Sequence, residues 1–173
     1  MKKILIYLFL LLFSTSTYGK NIVYLDVQYI IDNSELGKFY KLKIKNIQKD
    51  ISSQLKKKED EINFLEINIK NQNNILSEKE KKNKVNQLND LLKEYKLQSN
   101  KFNKQIIENK KKYTSKILET LNPLLTNYVE KNKILLVVEK KNILIGIKSL
   151  DITKDLLKIL NEETKKSNLL DEN

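Results

Sequence analysis

The sequence predicts an α+β protein that is mostly α, with a long antiparallel helical hairpin and a small β body shared between protomers. Two long stretches, residues 37–70 and 78–132, carry apolar residues at steps of three and four, the period of an amphipathic helix. Three short apolar runs outside them are typical of strands. A body this small leaves strand edges and faces uncovered, so we expect several copies of the chain to build one sheet.

The first 19 residues have the pattern of a secretory signal peptide. Lys2 and Lys3 precede ten consecutive apolar residues, and a polar run then ends at Gly19, with small side chains three residues and one residue before the expected cut. A membrane anchor would need about 20 apolar residues. We therefore expect export, cleavage near Gly19 and a soluble mature protein.

The mature chain begins with a short strand and a helical turn. Residues 22–25 form an apolar run without alternation, which is typical of a strand buried on both faces. Asp26 follows at a position where a helix N-cap is expected, and residues 27–31 fit one or two helical turns. Turn-forming residues between 33 and 37 then mark the entry to the hairpin.

The hairpin, residues 37–122, is called the arm below, and one apolar face of each helix is predicted to form its seam. In the first helix these residues are Tyr40, Ile44, Ile47, Ile51, Leu55, Ile62, Leu65 and Ile69. In the second stretch they are Val85, Leu88, Leu92, Tyr95, Phe102, Ile106, Tyr113, Ile117, Leu121, Leu124 and Tyr128. The pattern lapses at Lys58, Ser99 and Asn109, so the seam is looser than a strict coiled coil and we expect it to flex.

An Asn-rich turn, residues 71–77, joins the two helices of the arm. Asn tolerates non-helical backbone, and Ser77 with Glu80 has the spacing of a capping box at the start of the second helix. Pro123, the only proline, is expected to mark the joint between arm and body. Asn132 suits a left-handed helix terminus.

The last part of the chain is predicted to complete the body. Residues 134–138 and 143–147 are apolar runs with the spacing of a β-hairpin, and Gly146 indicates a bulge or a close backbone approach. Asp151 is expected to cap a closing helix that ends at Leu160. The predicted divisions are a signal peptide, 1–19; a β-containing oligomerisation body, 20–36 and 123–161; the arm, 37–122; and a polar flexible tail, 162–173.

The association core of this body is predicted from its apolar runs. It consists of Ile22, Val23, Leu25, Leu135, Val137, Ile143 and Ile145. Strands of this kind in a small body bury their faces most readily against a second copy.

The positive charge of the mature chain is concentrated on the two helices. Residues 35–131 hold 22 Lys and 13 acidic residues, whereas the rest of the mature chain holds nine of each. Single Lys clusters usually do no more than solvate a helix face. A neutral body with basic helices nevertheless favours an acidic partner, attracted over a distance that salt screens.

Little in the sequence indicates an enzyme. The chain has no His and no Cys, which removes imidazole catalysis, thiol chemistry and the commonest zinc ligands. Asp26, Asp151 and Asp155 lie at predicted element ends, where Asp is preferred as a helix cap. We expect no catalytic residue, no metal and no cofactor.

The order of these elements resembles the Skp/OmpH family of periplasmic chaperones. The segments that carry the resemblance are IVYLD at 22–26, SELGK at 34–38, LSEKE at 76–80, NPLL at 122–125, ILLVVE at 134–139 and DITKDLLKIL at 151–160. The resemblance implies a periplasmic, jellyfish-like homotrimer whose arms enclose a cavity and hold unfolded outer-membrane proteins, called clients below, without ATP. It also implies lipopolysaccharide or an anionic membrane surface as a further partner.

Within that interpretation, contact with clients is expected to be diffuse and to involve lysines along the arm. The residues chosen are Lys56, Lys57, Lys58, Lys79, Lys81, Lys82 and Lys84. Two other functions fit parts of the pattern: a structural coiled-coil spacer in the envelope, and a nucleic-acid-binding protein with a sequence pI near 9.5. The export signal argues against nucleic acid, so no nucleic-acid partner is expected.

Overall fold

The structure, a computed structural model, describes residues 22–72 and 74–171. The predicted signal peptide lies outside this part. Within it the order of elements is β1 (Ile22–Leu25), α1 (Val27–Asn33), α2 (Glu35–Asn71), α3 (Glu78–Lys131), β2 (Leu136–Glu139) and α4 (Thr153–Lys166). The described residues are therefore mostly helical with one small strand pair, and they contain no helix long and apolar enough to cross a membrane.

The chain divides into two compact units. The first comprises residues 22–34 together with Glu119–Ser167, and the second comprises Glu35–Leu118 with residues 168–171. The division into a body, 20–36 and 123–161, and an arm, 37–122, stays a prediction.

The first unit is built on a parallel pair of strands. β1 pairs with β2 in the register Ile22 with Leu136 through Leu25 with Glu139. A parallel pair needs a long crossover connection, and here α2 and α3 together provide it. The core of the unit contains Val23, Leu25, Ile30, Leu121, Ile152, Leu156 and Leu160.

Helix ends in this unit follow the predicted caps closely but not completely. Asp26 is the N-cap of α1, and its carboxylate accepts from the Tyr29 amide at 2.8 Å, as predicted. The Asp151 carboxylate accepts from the Thr153 amide at 2.9 Å, although the residue that precedes α4 is Ile152. The left-handed residue after α3 is Lys133, with φ 52°, rather than Asn132.

The predicted hairpin between residues 134–138 and 143–147 is wrong within this chain. Lys140–Asn142 forms a short 3-10 turn after β2, and the described residues include no strand at 143–147. Ile143 and Ile147 are nevertheless extended, with φ/ψ of −111°/123° and −74°/141°. The apolar run indicated extended backbone, which holds at these two ends, but Leu144 between them lies at a bend. A strand also requires a partner, which the described residues of this chain do not supply.

The closing helix is longer than predicted. α4 continues beyond Leu160 to Lys166, and Thr164 on its last turn is completely buried, with its hydroxyl donating to the Leu160 carbonyl at 2.7 Å. The first residues of the predicted polar tail, 162–166, thus belong to the helix, and the buried Thr164 packs this last turn into the body.

The second unit contains the antiparallel hairpin of α2 and α3. Tyr40 stacks on Tyr113 with ring centroids 4.4 Å apart, and further along α2 Glu59 accepts from the Tyr95 hydroxyl at 2.6 Å. Moving forward along α2 thus corresponds to moving back along α3, which defines the antiparallel register. The predicted α2 seam residues are all buried or half-buried.

Two predicted seam residues of α3 are exposed instead. Val85 and Leu92 lie one residue beyond Lys84 and Leu91, which occupy the half-buried face. Hydropathy patterns do not detect the aliphatic stem of a lysine, so the role of Lys84 in this face was missed.

The start of α3 has the predicted capping box. The Ser77 amide donates to the Glu80 carboxylate at 2.9 Å, and the Glu80 amide donates to the Ser77 hydroxyl at 3.4 Å. Pro123 lies inside α3, which continues to Lys131. Its missing N–H removes one helical hydrogen bond without ending the helix.

Candidate functional site

Four of the seven lysines predicted to contact clients are engaged within the arm. Lys56 lies 2.9 Å from Asp60, Lys58 lies 3.2 Å from Glu94 and Lys81 lies 3.1 Å from Glu78. The Lys84 ammonium donates to the Gln72 side-chain oxygen at 3.0 Å. Each ammonium has three donors and can still contact another molecule, but one donor of each of these four is already used within the arm.

The side chains of the other three lysines, Lys57, Lys79 and Lys82, are exposed and form no ion pair or hydrogen bond with any residue that the structure describes. They retain their full donor capacity for an external acceptor. The structure thus divides the seven predicted lysines into four whose side chains have a partner, called engaged below, and three whose side chains have none, called free. Their spacing in the sequence does not reveal this difference.

Polar contacts cross the seam where its apolar pattern lapses at Lys58. The Lys58 ammonium contacts the Glu94 carboxylate, and one residue further the Tyr95 hydroxyl donates to Glu59. The hydrogen bond to Glu59 raises the pKa of Tyr95, so this hydroxyl remains a donor at neutral pH. Solvent-exposed pairs of this kind contribute little to stability, which leaves the middle of the arm less strongly held than an apolar seam.

The predicted association core divides into buried and exposed residues. Val23 and Leu25 are at most 2% exposed because they pack inside their own protomer, so they are unavailable to a second copy. Ile22, Leu135 and Ile145 are exposed, and Val137 and Ile143 are half-buried.

Three further exposed apolar residues of the first unit were not chosen from the sequence: Leu136, Leu144 and Ile147. Together with Ile22, Leu135 and Ile145 they form the set called the apolar patch below. Leu144 and Ile145 are essentially fully exposed. The uninterrupted apolar run at 143–147 could have indicated Leu144 and Ile147 as well. Only Ile143 and Ile145 were predicted, because alternate residues of a strand share one face.

The segment between β2 and α4 is held at both ends by a charge cluster. The Lys140 ammonium lies 3.5 Å from both the Asp26 and the Asp151 carboxylates. The charge of Asp151, followed by that of Asp26, raises the pKa of Lys140. Burial opposes ionisation of Asp151, but hydrogen bonds from Thr153 and the charge of Lys140 outweigh it and lower the pKa of Asp151.

These acidic residues have structural partners, and none belongs to a metal-binding group. No cluster of three or more potential metal ligands occurs in the described parts of the chain. The recognisable features are therefore surfaces: a basic arm and an apolar patch.

Comparison with known proteins finds a matching family model and a similar solved structure. A family model described as "Outer membrane protein (OmpH-like)" matches residues 21–160. No curated protein matches the sequence. A crystal structure of a candidate outer membrane chaperone (OmpH-like) from Caulobacter crescentus CB15 has a TM-score of 0.75 at 12% sequence identity. The match covers 87% of this chain and 91% of that chain, so the two share their fold.

Proposed function

This chain belongs to the OmpH-like family, and on that premise we propose that it is an ATP-independent periplasmic holdase chaperone. It binds unfolded outer-membrane proteins between the basic arms of a homotrimer and prevents their aggregation. The observation that carries the proposal is the charge distribution: 22 Lys against 13 acidic residues over 35–131, and equal numbers in the rest of the mature chain.

Lysine suits a partner without fixed structure. Its ammonium attracts anionic groups without demanding one geometry, and its aliphatic stem covers apolar segments. Lys57, Lys79 and Lys82 supply such groups without breaking a contact inside the arm. Exposed phosphates on lipopolysaccharide or an anionic membrane surface present the same chemistry, and we propose Lys79 and Lys82 as their contacts.

The flexibility required for clients of different size follows from the energetics of the arm. Burying one Leu or Ile fully contributes about 1.5–3 kcal/mol, whereas fixing one backbone residue costs about 1–2 kcal/mol. Most seam residues of α2 are only half-buried, so packing within one arm is marginal. An arm that opens and closes locally adapts to its client, and release needs no fuel if the client folds elsewhere.

Association of copies supplies the enclosure. The apolar patch gives a second copy a surface to bury, and three copies bring three arms around one client. Many weak contacts inside that volume then reinforce one another through a high effective concentration.

The experiment that tests this function is light scattering of an unfolded outer-membrane β-barrel protein diluted from urea, with and without the mature chain. We expect suppressed scattering at low salt and weaker suppression at high salt, because salt screens attraction to the lysines. Unchanged aggregation at every salt concentration would contradict the holdase and favour an envelope spacer, which binds one fixed partner.

A further inference from the structure

Segment 143–147 is in close contact with Tyr24 of β1. The Tyr24 hydroxyl donates to the Ile147 carbonyl at 3.3 Å. A Cβ placed on Gly146 would lie 2.8 Å from Cε1 of the Tyr24 ring, closer than side-chain carbons approach. Gly146 therefore allows the backbone to pass directly over the ring, which is itself buried.

Tyr24 is fixed independently of this contact. Its backbone pairs with Val138 of β2 on one side and forms a parallel bridge with Asp151 on the other. Its carbonyl accepts from the Ile152 amide at 3.0 Å. On either side of segment 143–147, Lys140 contacts Asp26 and Asp151. The Tyr24 ring is therefore held in place by contacts that do not involve Gly146 or Ile147.

Segment 143–147 therefore has a fixed backbone, yet most of its apolar side chains bury little of their surface within their own chain. Leu144, Ile145 and Ile147 expose their apolar surface to solvent, as do Leu135 and Leu136 at the start of β2. The six residues of the apolar patch expose roughly as much area as one partner buries in a standard protein interface, about 800 Å². That area is large enough for a second copy of the chain to bury in an interface.

We infer that Tyr24 and Gly146 form a latch that holds segment 143–147 in the conformation in which it docks onto a second copy of this chain. Each copy offers both this exposed apolar segment and a β2 edge that no described strand covers. A surface that carries both elements is complementary to its own copies in a closed ring. The inference rests on the proposed homotrimer, and it makes Tyr24 a positioning residue for association.

Preorganisation distinguishes the latch from simple core packing. A segment whose backbone is already held in place loses little further freedom on docking, so weakening the latch lowers affinity without removing any contact between copies. A residue that only fills the core would affect folding of the protomer and leave the segment unchanged.

The test compares the mature chain with Tyr24→Phe, Gly146→Ala and, as a matched control, Leu144→Ala, by sedimentation over a dilution series. Gly146→Ala is expected to raise the concentration of half-assembly about tenfold or more, because the new methyl displaces the segment. Tyr24→Phe keeps the ring and removes one hydrogen bond, for an expected rise of about two- to tenfold. Leu144→Ala also weakens association, through lost area alone.

Amide hydrogen exchange of residues 143–147 in dilute samples separates these causes. Exchange is expected to accelerate about threefold or more in both latch variants, and to remain unchanged in Leu144→Ala. A wild-type chain that assembles, with latch variants that assemble and exchange equally well, would overturn the latch alone. A wild-type chain that is monomeric at all concentrations would overturn the proposed trimer and the latch with it. If Gly146→Ala loses its helical circular dichroism, Tyr24→Phe decides.

Discussion

At the scale of single residues, the contact of Lys140 with two carboxylates is the most informative about the stability of the body. Lys140 joins Asp26, which caps α1, to Asp151, which precedes α4, so one ammonium links the starts of two helices. Asp151 is hydrogen-bonded as well as charged, and its side chain is mostly shielded from water. Its ionisation is therefore coupled to folding of the body.

The lowered pKa of Asp151 predicts a pH-dependent contribution to stability. Because its folded-state pKa lies below the unfolded value of about 3.9, the ionised group stabilises the fold above that pH. This contribution is lost as the pH falls through the folded-state pKa. We expect Asp151→Asn to lower the free energy of unfolding by about 1 kcal/mol at pH 7, and much less near pH 3. Urea unfolding at both pH values measures this difference.

Lys140 limits the stabilising effect of the charge cluster at alkaline pH. Its raised pKa means that its charge contributes to stability below the unfolded value of about 10.4, and that this contribution disappears as the pH rises through the folded-state pKa.

A loss of stability in Asp151→Asn that is equal at pH 3 and pH 7 would show that the carboxylate acts by packing rather than by charge.

At the scale of elements, the capping box determines where the second helix of the arm begins. Ser77 and Glu80 satisfy two backbone donors that the first turn of α3 would otherwise leave unpaired. Ser77→Ala is expected to destabilise this end of the hairpin by about 1 kcal/mol. Amide exchange over the first turn of α3 should accelerate, whereas exchange in α4 should not. Equal acceleration in both helices would mean that the arm and the body unfold together.

The polar lapse at Lys58 predicts that the middle of the arm becomes more stable when it is made apolar. Lys58→Met keeps a flexible stem on the half-buried face and removes a charge whose partner, Glu94, remains exposed to water. We expect the free energy of unfolding of the arm to rise by about 0.5–1 kcal/mol, with slower amide exchange near residues 55–62. Lys57→Met, on the adjacent exposed position, serves as the control and should change neither.

Because some arm lysines have a side-chain partner and others do not, we expect two matched triple variants to lose client affinity to different extents. A triple change of Lys57, Lys79 and Lys82 to Gln removes three positive charges that lack partners in the arm. The matching change of Lys56, Lys81 and Lys84 to Gln removes three engaged ones. Both reduce long-range attraction equally, so a greater loss of client affinity in the first triple, by about three- to tenfold, isolates direct contact. Fluorescence titration with an unfolded barrel protein measures it, and equal losses would indicate attraction by net charge alone.

Most elements were predictable because their signals are local. The 3.6-residue period of α2, the Asp26 cap and the Ser77–Glu80 box each depend on neighbouring residues, and all three are confirmed. What could not be predicted depends on distant contacts. Lys84 enters the half-buried face by its stem, and the backbone at Gly146 passes over a tyrosine more than a hundred residues away in sequence.

The candidate surfaces show the same limit. Charge counts identified the basic arm, but only the structure separates Lys57 from Lys56 by its lack of a partner. Apolar runs identified candidates for the proposed association surface, but Val23 and Leu25 are buried in their own protomer, so only the exposed candidates can contact a second copy. Burial depends on which chain covers a side chain, and a single sequence contains no direct information about that.

At the scale of the whole molecule, the account combines an apolar patch that favours copies of the chain with basic arms that favour an unfolded client. These two surfaces have different salt dependence. Burial of apolar area is strengthened by excluded salts such as sulfate, whereas attraction to lysine is screened. Raising sodium sulfate is therefore expected to strengthen assembly of the chain while it weakens capture of the client.

The most direct test of the central claim is the mass of the complex with an unfolded outer-membrane protein, measured under non-denaturing conditions by sedimentation or native mass spectrometry. The account predicts three copies of this chain with one client, formed at low salt and released at high salt without ATP. A complex of one copy with one client, or three copies that bind no client at any salt concentration, would contradict it.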